Sequence, residues 1–159
     1  MLTEKEEYNK YLFYQAVENE NLDLLKTLPD EYNLNTSIDI NDLDYYCENK
    51  DLFTIKYINL IYGNHELLCN MLYYSSQWNS LNIIKYLVRK GVDIHRDNEQ
   101  SLMLACINGS LDVVKYLVEN DADIHAKEED CFIMACRNGH LDVVKYLVSK
   151  GALKAARDN

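Results

Sequence analysis

Proline occurs once and glycine five times in the 159 residues of this chain. So little turn-forming material excludes collagen-like and linker-rich chains, and it disfavours all-β architectures with many tight turns. A helical protein is what remains. None of the five cysteines (Cys47, Cys69, Cys106, Cys131 and Cys136) forms a CxxC pair. Their odd number fits thiols used as small apolar core residues in a reduced, cytoplasmic chain rather than a disulfide framework. Met1 to Lys10 is polar and acidic, so no charged-then-apolar leader opens the chain. No run of about 18 apolar residues exists to span a bilayer. Basic residues are scarce in one half only. Residues 1–80 hold five Lys/Arg against fourteen Asp/Glu, a net of −9, while residues 81–159 hold eleven against twelve, a net of −1. With −10 in total, phosphate backbones and anionic lipid surfaces are poor partners, which argues against nucleic acid and membrane.

What is present is a period. LNIIKY starts at Leu81, and LDVVKYLV starts at Leu111 and again at Leu141, a spacing of thirty. Carried backwards, the phase meets Leu52 and Leu22, so five copies fill the chain. Ala105 to Ser110 matches Ala135 to His140, and Gly91 to His95 matches Asp121 to His125. Each copy reads as two short antiparallel helices. Leu111, Val114, Leu117 and Val118 make one apolar stripe on the second helix, and Asn108-Gly109 and Asn138-Gly139 mark the turn between the helices. Gly91 and Gly151 stand at helix exits, where Asp121 predicts local strain or a turn taken by Asn120. Thr3-x-x-Glu6 predicts a capping box at the first helix. Helices of about ten residues do not stand alone, so the copies must stack.

The pattern ACxNGxLDVVKYLVxxGxDIH resembles the ankyrin repeat, closely over residues 81–151 and weakly over residues 11–80. The resemblance implies an all-α solenoid of about five helix pairs forming one domain over residues 1–159. Its repeats lie near 1–32 and 33–61, both degenerate, then 62–90, 91–120 and 121–150, with a tail at 151–159. The family period is about 33 residues and its Thr-Pro-Leu-His opening is missing, which predicts shortened β-hairpin fingers and little strand. The short repeat, rich in Asn, Tyr, Ile and Lys, is similar to the mimivirus-like ankyrin sets of giant amoeba-infecting DNA viruses. That likeness would make the partner a protein of the host cytoplasm.

Other features are read against plainer explanations. His65, Glu66 and Cys69 spell HExxC, one residue from a zinc-protease helix, and carry the alternative of a cytosolic metalloprotein or enzyme. The plainer explanation is that His65 holds the structural slot of His95 and His125. Equivalent side chains of stacked repeats stand about 8–10 Å apart, too far to share a metal. No phosphate loop or nucleophile elbow occurs, so neither cofactor nor metal is expected and the chain is read as no enzyme. Tyr86, Tyr116 and Tyr146 recur in one slot and are expected to pack half-buried with the hydroxyl at water. Some of Tyr8, Tyr11, Tyr14, Tyr45, Tyr46, Tyr73 and Tyr74 are expected in core slots.

In ankyrin stacks partners usually dock on the groove beside the first helices. The matching positions are Glu18, Glu48, Gln77, Trp78, Ile107, Asn108, Arg137 and Asn138, with Arg96, Asp97, Lys127 and Glu128 at the loop edge. Trp78 belongs to the groove or folds onto the core. The implied function is a non-catalytic scaffold binding a protein with a basic patch beside an apolar one. A purely structural module of a larger assembly is the remaining alternative. The last helix is as apolar as an internal one, which predicts a frayed monomer end or a weak dimer through the C-terminal repeat.

Overall fold

The computed structural model describes residues 3–29 and 42–152, with the side chains of 127–129 left outside that description. Ten helices form five pairs among the described residues: α1 (Glu4–Glu18) with α2 (Leu22–Lys26), α3 (Leu43–Glu48) with α4 (Leu52–Tyr62), α5 (His65–Gln77) with α6 (Leu81–Arg89), α7 (Arg96–Ile107) with α8 (Leu111–Glu119), and α9 (Ala126–Arg137) with α10 (Leu141–Ser149). No strand forms among the described residues, so the solenoid is all-α and its fingers are stunted. The expected capping box opens α1: Thr3 Oγ1 accepts from the Glu6 N–H at 3.3 Å, and the Glu6 carboxylate accepts from the Thr3 N–H at 2.5 Å. The Thr3 N–H and the Thr3 hydroxyl, which donates to Glu6 Oε2 at 2.9 Å, together hold the Glu6 carboxyl below the usual carboxylate range.

One device ends every first helix. Glu20, Lys50, Asn79, Gly109 and Gly139 occupy the same slot, and all five have positive φ, between 53° and 75°. The N–H of the following residue then reaches back to a carbonyl five residues earlier: Asn21 to Ala16, Asp51 to Tyr46, Ser80 to Ser75, Ser110 to Ala105 and His140 to Ala135, at 2.7–2.9 Å. This is the left-handed C-terminal closure that satisfies orphan carbonyls. Only the last two copies use glycine there, so the closure forms with or without the residue that best tolerates it. Helices α6, α8 and α10 close the same way through Gly91, Asp121 and Gly151, with Val92, Ala122 and Ala152 donating to Leu87, Leu117 and Leu147. Asp121 therefore takes the left-handed position itself, with φ 71°, while Asn120 donates its side-chain amide to the Tyr116 carbonyl at 2.7 Å.

First helices stack as α3, α5, α7 and α9, and second helices as α4, α6, α8 and α10. Between the two rows runs one continuous core that includes Ile55, Ile58, Met71, Ile83, Ile84, Leu87, Leu102, Val113, Leu117 and Leu147. Fully burying one such side chain contributes about 1.5–3 kcal/mol, which is why the stack holds helices too short to persist alone. Small residues at the contact (Ser75, Ser76, Ala105 and Cys106) let neighbouring first helices approach closely. Four thiols are buried and Cys136 is exposed. Burial pushes the Cys47 thiol up to about 12, and contact with the Cys131 thiol, reinforced by burial, raises Cys106 as well.

The N-terminal pair departs from this regularity. Helix α1 packs on α4, and Phe13, Ala16, Val17 and Leu25 form a separate small core with Tyr57. Glu18 pairs with Lys56 of α4 at 2.5 Å, and Glu20 pairs with Lys90 beyond the end of α6. The first pair thus leans on the second-helix row.

Tyrosines sort by partner. Tyr8, Tyr11, Tyr14 and Tyr45 are exposed, whereas Tyr46 and Tyr74 pack against the main core. The expectation of a hydroxyl at water fails at two of the three repeated positions. Tyr86 is buried and its hydroxyl accepts from Asn59 Nδ2 at 2.7 Å; burial raises its pKa to about 12. The Tyr146 hydroxyl is buried with no partner among the described residues. The slot that Asn59 fills beside Tyr86 is filled by Val118 beside Tyr146, and valine has nothing to donate.

Candidate protein-binding face

On α7 the buried set is Glu99, Ser101, Leu102, Ala105 and Cys106, which leaves Gln100, Met103, Leu104 and Ile107 half-exposed. Those four follow the i, i+3, i+4, i+7 spacing of a single helical stripe. Its counterparts are Asn70, Tyr73, Tyr74 and Gln77 on α5, Asp130, Ile133, Met134 and Arg137 on α9, and Asp44, Tyr45 and Glu48 on α3. Because the four first helices stack in order, the stripes join into a band of aromatic and aliphatic side chains across the molecule. Tyr45 is 59% exposed and Ile133 37% exposed, far more than core residues of their size. Ring pairs stiffen the band: Tyr73 meets Tyr74 edge-on at 5.3 Å, and Tyr45 meets Tyr46 at 5.6 Å.

The residues singled out from sequence fall in different places. Glu48, Gln77, Ile107 and Arg137 lie on the band, Gln77 and Ile107 half-buried and the two charged residues exposed. Asn108 and Asn138 sit at its edge with a local task. Their side-chain amides donate to the Leu104 and Met134 carbonyls at 2.9 and 2.8 Å, capping their own helices as Asn19 and Asn49 do. Trp78 replaces that asparagine. It is half-buried, packs on the core, and donates from Nε1 to Asp44 Oδ1 at 2.5 Å, tying α5 to α3. Glu18 stands apart, held by Lys56 on the second-helix row. Arg96 and Asp97 pair at 3.5 Å and line a shallow cleft of about 90 Å³ between α5 and α7 with Asn70, Tyr73 and Gln100. Lys127 and Glu128 fall outside the described side chains.

The sequence did not mark Tyr45, Tyr73, Tyr74, Met103, Leu104, Ile133 and Met134 as face residues, and the three tyrosines were expected among candidates for core slots. The available signal was spacing. These residues precede Glu48, Gln77, Ile107 and Arg137 by three or four positions, and they vary in type between copies whose neighbouring core slots stay small or apolar.

Beside the band, the loop into α7 is unusual. Asp93 and Asp123 each accept from the N–H of the histidine two residues on, His95 and His125, at 2.9 Å. Asp97, Asn98 and Glu99 then have φ of 53°, 62° and 64°, a single left-handed turn in place of a projecting finger. Glu99 is buried; its Oε1 lies 2.5 Å from His95 Nδ1, while its Oε2 has no hydrogen-bond partner. That bond raises the pKa of His95, with desolvation opposing it and the charges of Glu99, Asp93 and Asp121 assisting.

The HExxC segment brings His65 and Cys69 one turn apart on α5, with Nε2 to Sγ at 3.8 Å. Among the described residues no three His, Cys, Asp or Glu side chains converge as a metal site would require. No helix of the described residues is long and apolar enough to cross a membrane.

Comparison with known proteins agrees with the helix pairs and their phase. No curated protein matches the chain. The family model described as ankyrin repeats in three copies matches residues 2–128 and again residues 72–158. Stacked helix pairs, left-handed closures and this match lead to one conclusion: the chain belongs to the ankyrin-repeat family.

Proposed function

We propose that this protein is a non-catalytic scaffold that holds another protein against the band formed by α3, α5, α7 and α9. Ankyrin repeats are in general protein–protein interaction modules, and the family is typically non-catalytic. The observation that carries the reading is the band itself: half-exposed tyrosine, methionine, leucine and isoleucine side chains in register on four stacked helices. Aromatic side chains and arginine are enriched where partners bind most tightly, and the band offers both. A rigid stack loses little ordering entropy on binding. Glu48, Gln77, Ile107 and Arg137 are the polar and apolar contacts of this reading. Trp78, Asn108 and Asn138 brace its edge, and Arg96 and Asp97 border it. The whole of residues 1–159 acts as one domain in the cytoplasm, and the partner is a host protein if the chain is viral.

Affinity capture tests the reading. Tyr45→Ala, Ile107→Ala and Arg137→Ala together are expected to abolish capture of the partner while the melting curve stays nearly unchanged, since none of the three is fully buried. Lys85→Ala with Arg89→Ala on the second-helix row serves as the control. Undiminished capture by the triple variant would show that the band is not the binding face.

Self-association is a second mode, supported by the last pair. Leu141 is 61% and Val148 40% exposed, whereas their counterparts Leu111 and Val118 on α8 are half-buried. The near-neutral second half lets two copies approach through this end. Leu141→Lys is expected to remove any concentration-dependent dimer in sedimentation.

A further inference from the structure

From the way its charge and side-chain type change along the band, we infer that the partner presents an amphipathic helix with arginine or lysine at one end, seated over α3 and α5. This rests on the scaffold reading above and specifies its occupant.

The band is graded. At the α3 and α5 end stand Tyr45, Tyr73 and Glu48; at the α7 and α9 end stand Met103, Ile133 and the exposed Arg137, with half-buried Asp130 two turns before it. Among the described residues Glu48 makes no ion pair, and neither does Arg137. Tyrosine faces attract a guanidinium through the ring quadrupole, and an unpaired carboxylate beside them adds to that attraction. The local charge points the same way, because residues 42–80, which carry α3 and α5, hold five Asp/Glu against two Lys/Arg, a net of −3. Flexible methionine beside isoleucine accepts aliphatic side chains of varied shape at the other end. A cation over α3 and an aliphatic seam over α7 and α9 therefore complement the band, and the reverse orientation sets cation against Arg137.

The occupant is a helix because of its own backbone. Among the described residues no strand edge exists to pair with an extended peptide, and the band offers side chains only. An extended segment lying across it would leave peptide groups desolvated without partners, whereas a helix satisfies them internally. Three steps of about 9–10 Å separate α3 from α9. A helix of about 19 residues at about 1.5 Å per residue covers that distance.

Two synthetic helical peptides of about 20 residues test this. They share a Leu/Met seam and differ only in carrying arginine or glutamate at one end. Binding is read by calorimetry and by emission of Trp78, the single tryptophan, which sits at the α5 edge of the band. The arginine peptide is expected to bind on the order of tenfold tighter than the glutamate peptide at about 0.1 M salt, with the ratio shrinking at about 0.5 M. Glu48→Lys should erase the ratio, Ile133→Asp should weaken both peptides, and Lys85→Glu on the other row should change neither. Equal binding of the two peptides, or a preference that Glu48→Lys leaves intact, overturns the charge assignment. Binding of neither peptide at about 200 µM overturns the helical occupant. Both failures are separable from failure of the scaffold reading, because capture of the native partner by wild type and its loss in the Tyr45, Ile107 and Arg137 variant would still stand.

Discussion

Alanine at Gly109 and at Gly139 separates two effects that usually arrive together. Both glycines fill the left-handed slot that closes a first helix, with φ of +70° and +75°. Placing an L side chain there costs about 1–2 kcal/mol in the folded state. Stiffening the unfolded chain offsets about 0.4–1 kcal/mol of that. Each substitution therefore carries a conformational penalty of roughly 0.5–1.5 kcal/mol. The surroundings differ. A Cβ at Gly139 meets nothing within 4 Å, whereas one at Gly109 falls 2.3 Å from His140 Nδ1. That imidazole belongs to the next repeat, and its Nε2–H donates to the Ile107 carbonyl at 2.8 Å. To clear a methyl group the ring must retreat by about 1 Å and surrender the bond, worth about 0.5–1.5 kcal/mol. Gly109→Ala should thus exceed Gly139→Ala by about 1 kcal/mol, measured from urea midpoints at constant slope. Serine holds the histidine's position in Ser80 and Ser110, so His140→Ser supplies a tolerated background. In it the Gly109→Ala penalty should fall to that of Gly139→Ala. Equal penalties in the wild-type background, or an excess that persists with serine, would show that His140 does not cross to the preceding turn as described.

Four further expectations follow from single contacts. Lys50→Gly relieves φ 58° at an exposed turn and should stabilise by about 0.5–1 kcal/mol in urea unfolding; destabilisation would show that Lys50 contributes more than a turn. Tyr86→Phe should cost about 1–1.5 kcal/mol because it strands the Asn59 amide, whereas Tyr146→Phe removes a buried hydroxyl without a partner and should be neutral or stabilising; equal losses would contradict the contrast. Trp78→Phe should lower stability by about 1 kcal/mol through the lost bond to Asp44, and Asp44→Asn should lower it less, since an amide oxygen still accepts. His95 is raised above its ordinary value of 6.5 by Glu99, so its contribution is fully present below about pH 6.5 and is lost as pH rises through the folded value. The denaturation midpoint should fall across that rise, and Glu99→Gln should flatten the profile; a midpoint climbing through the same window would reverse the assigned sign.

The period, the helix pairs, the capping box and the closing turns were legible in the residues because each is a local matter. A stripe at helical spacing, a Thr-x-x-Glu and an Asn-Gly specify geometry within a few positions. Legibility failed where the deciding partner was remote or where one residue type serves two tasks. Asn108 and Asn138 read as variable groove residues, yet an amide four positions from a terminal carbonyl caps it. The Tyr86 hydroxyl was expected at water, but Asn59 lies 27 residues away in sequence and within bonding distance in space. Trp78 offered no local sign that Asp44 holds it. Helix α1 kept the repeat's phase and still leaned on α4, because phase specifies which face is apolar and not which neighbour covers it.

By itself, then, the scarcity of proline and glycine together with the thirty-residue spacing pointed to a stack of short helix pairs, since helices of that length cannot bury their apolar stripes alone and a regular spacing lets each copy cover the next. Only the tertiary structure decided which polar residues are free to meet a partner. A side chain's availability depends on what the neighbouring repeat has already claimed, and Lys56 and Asp44 had claimed Glu18 and Trp78.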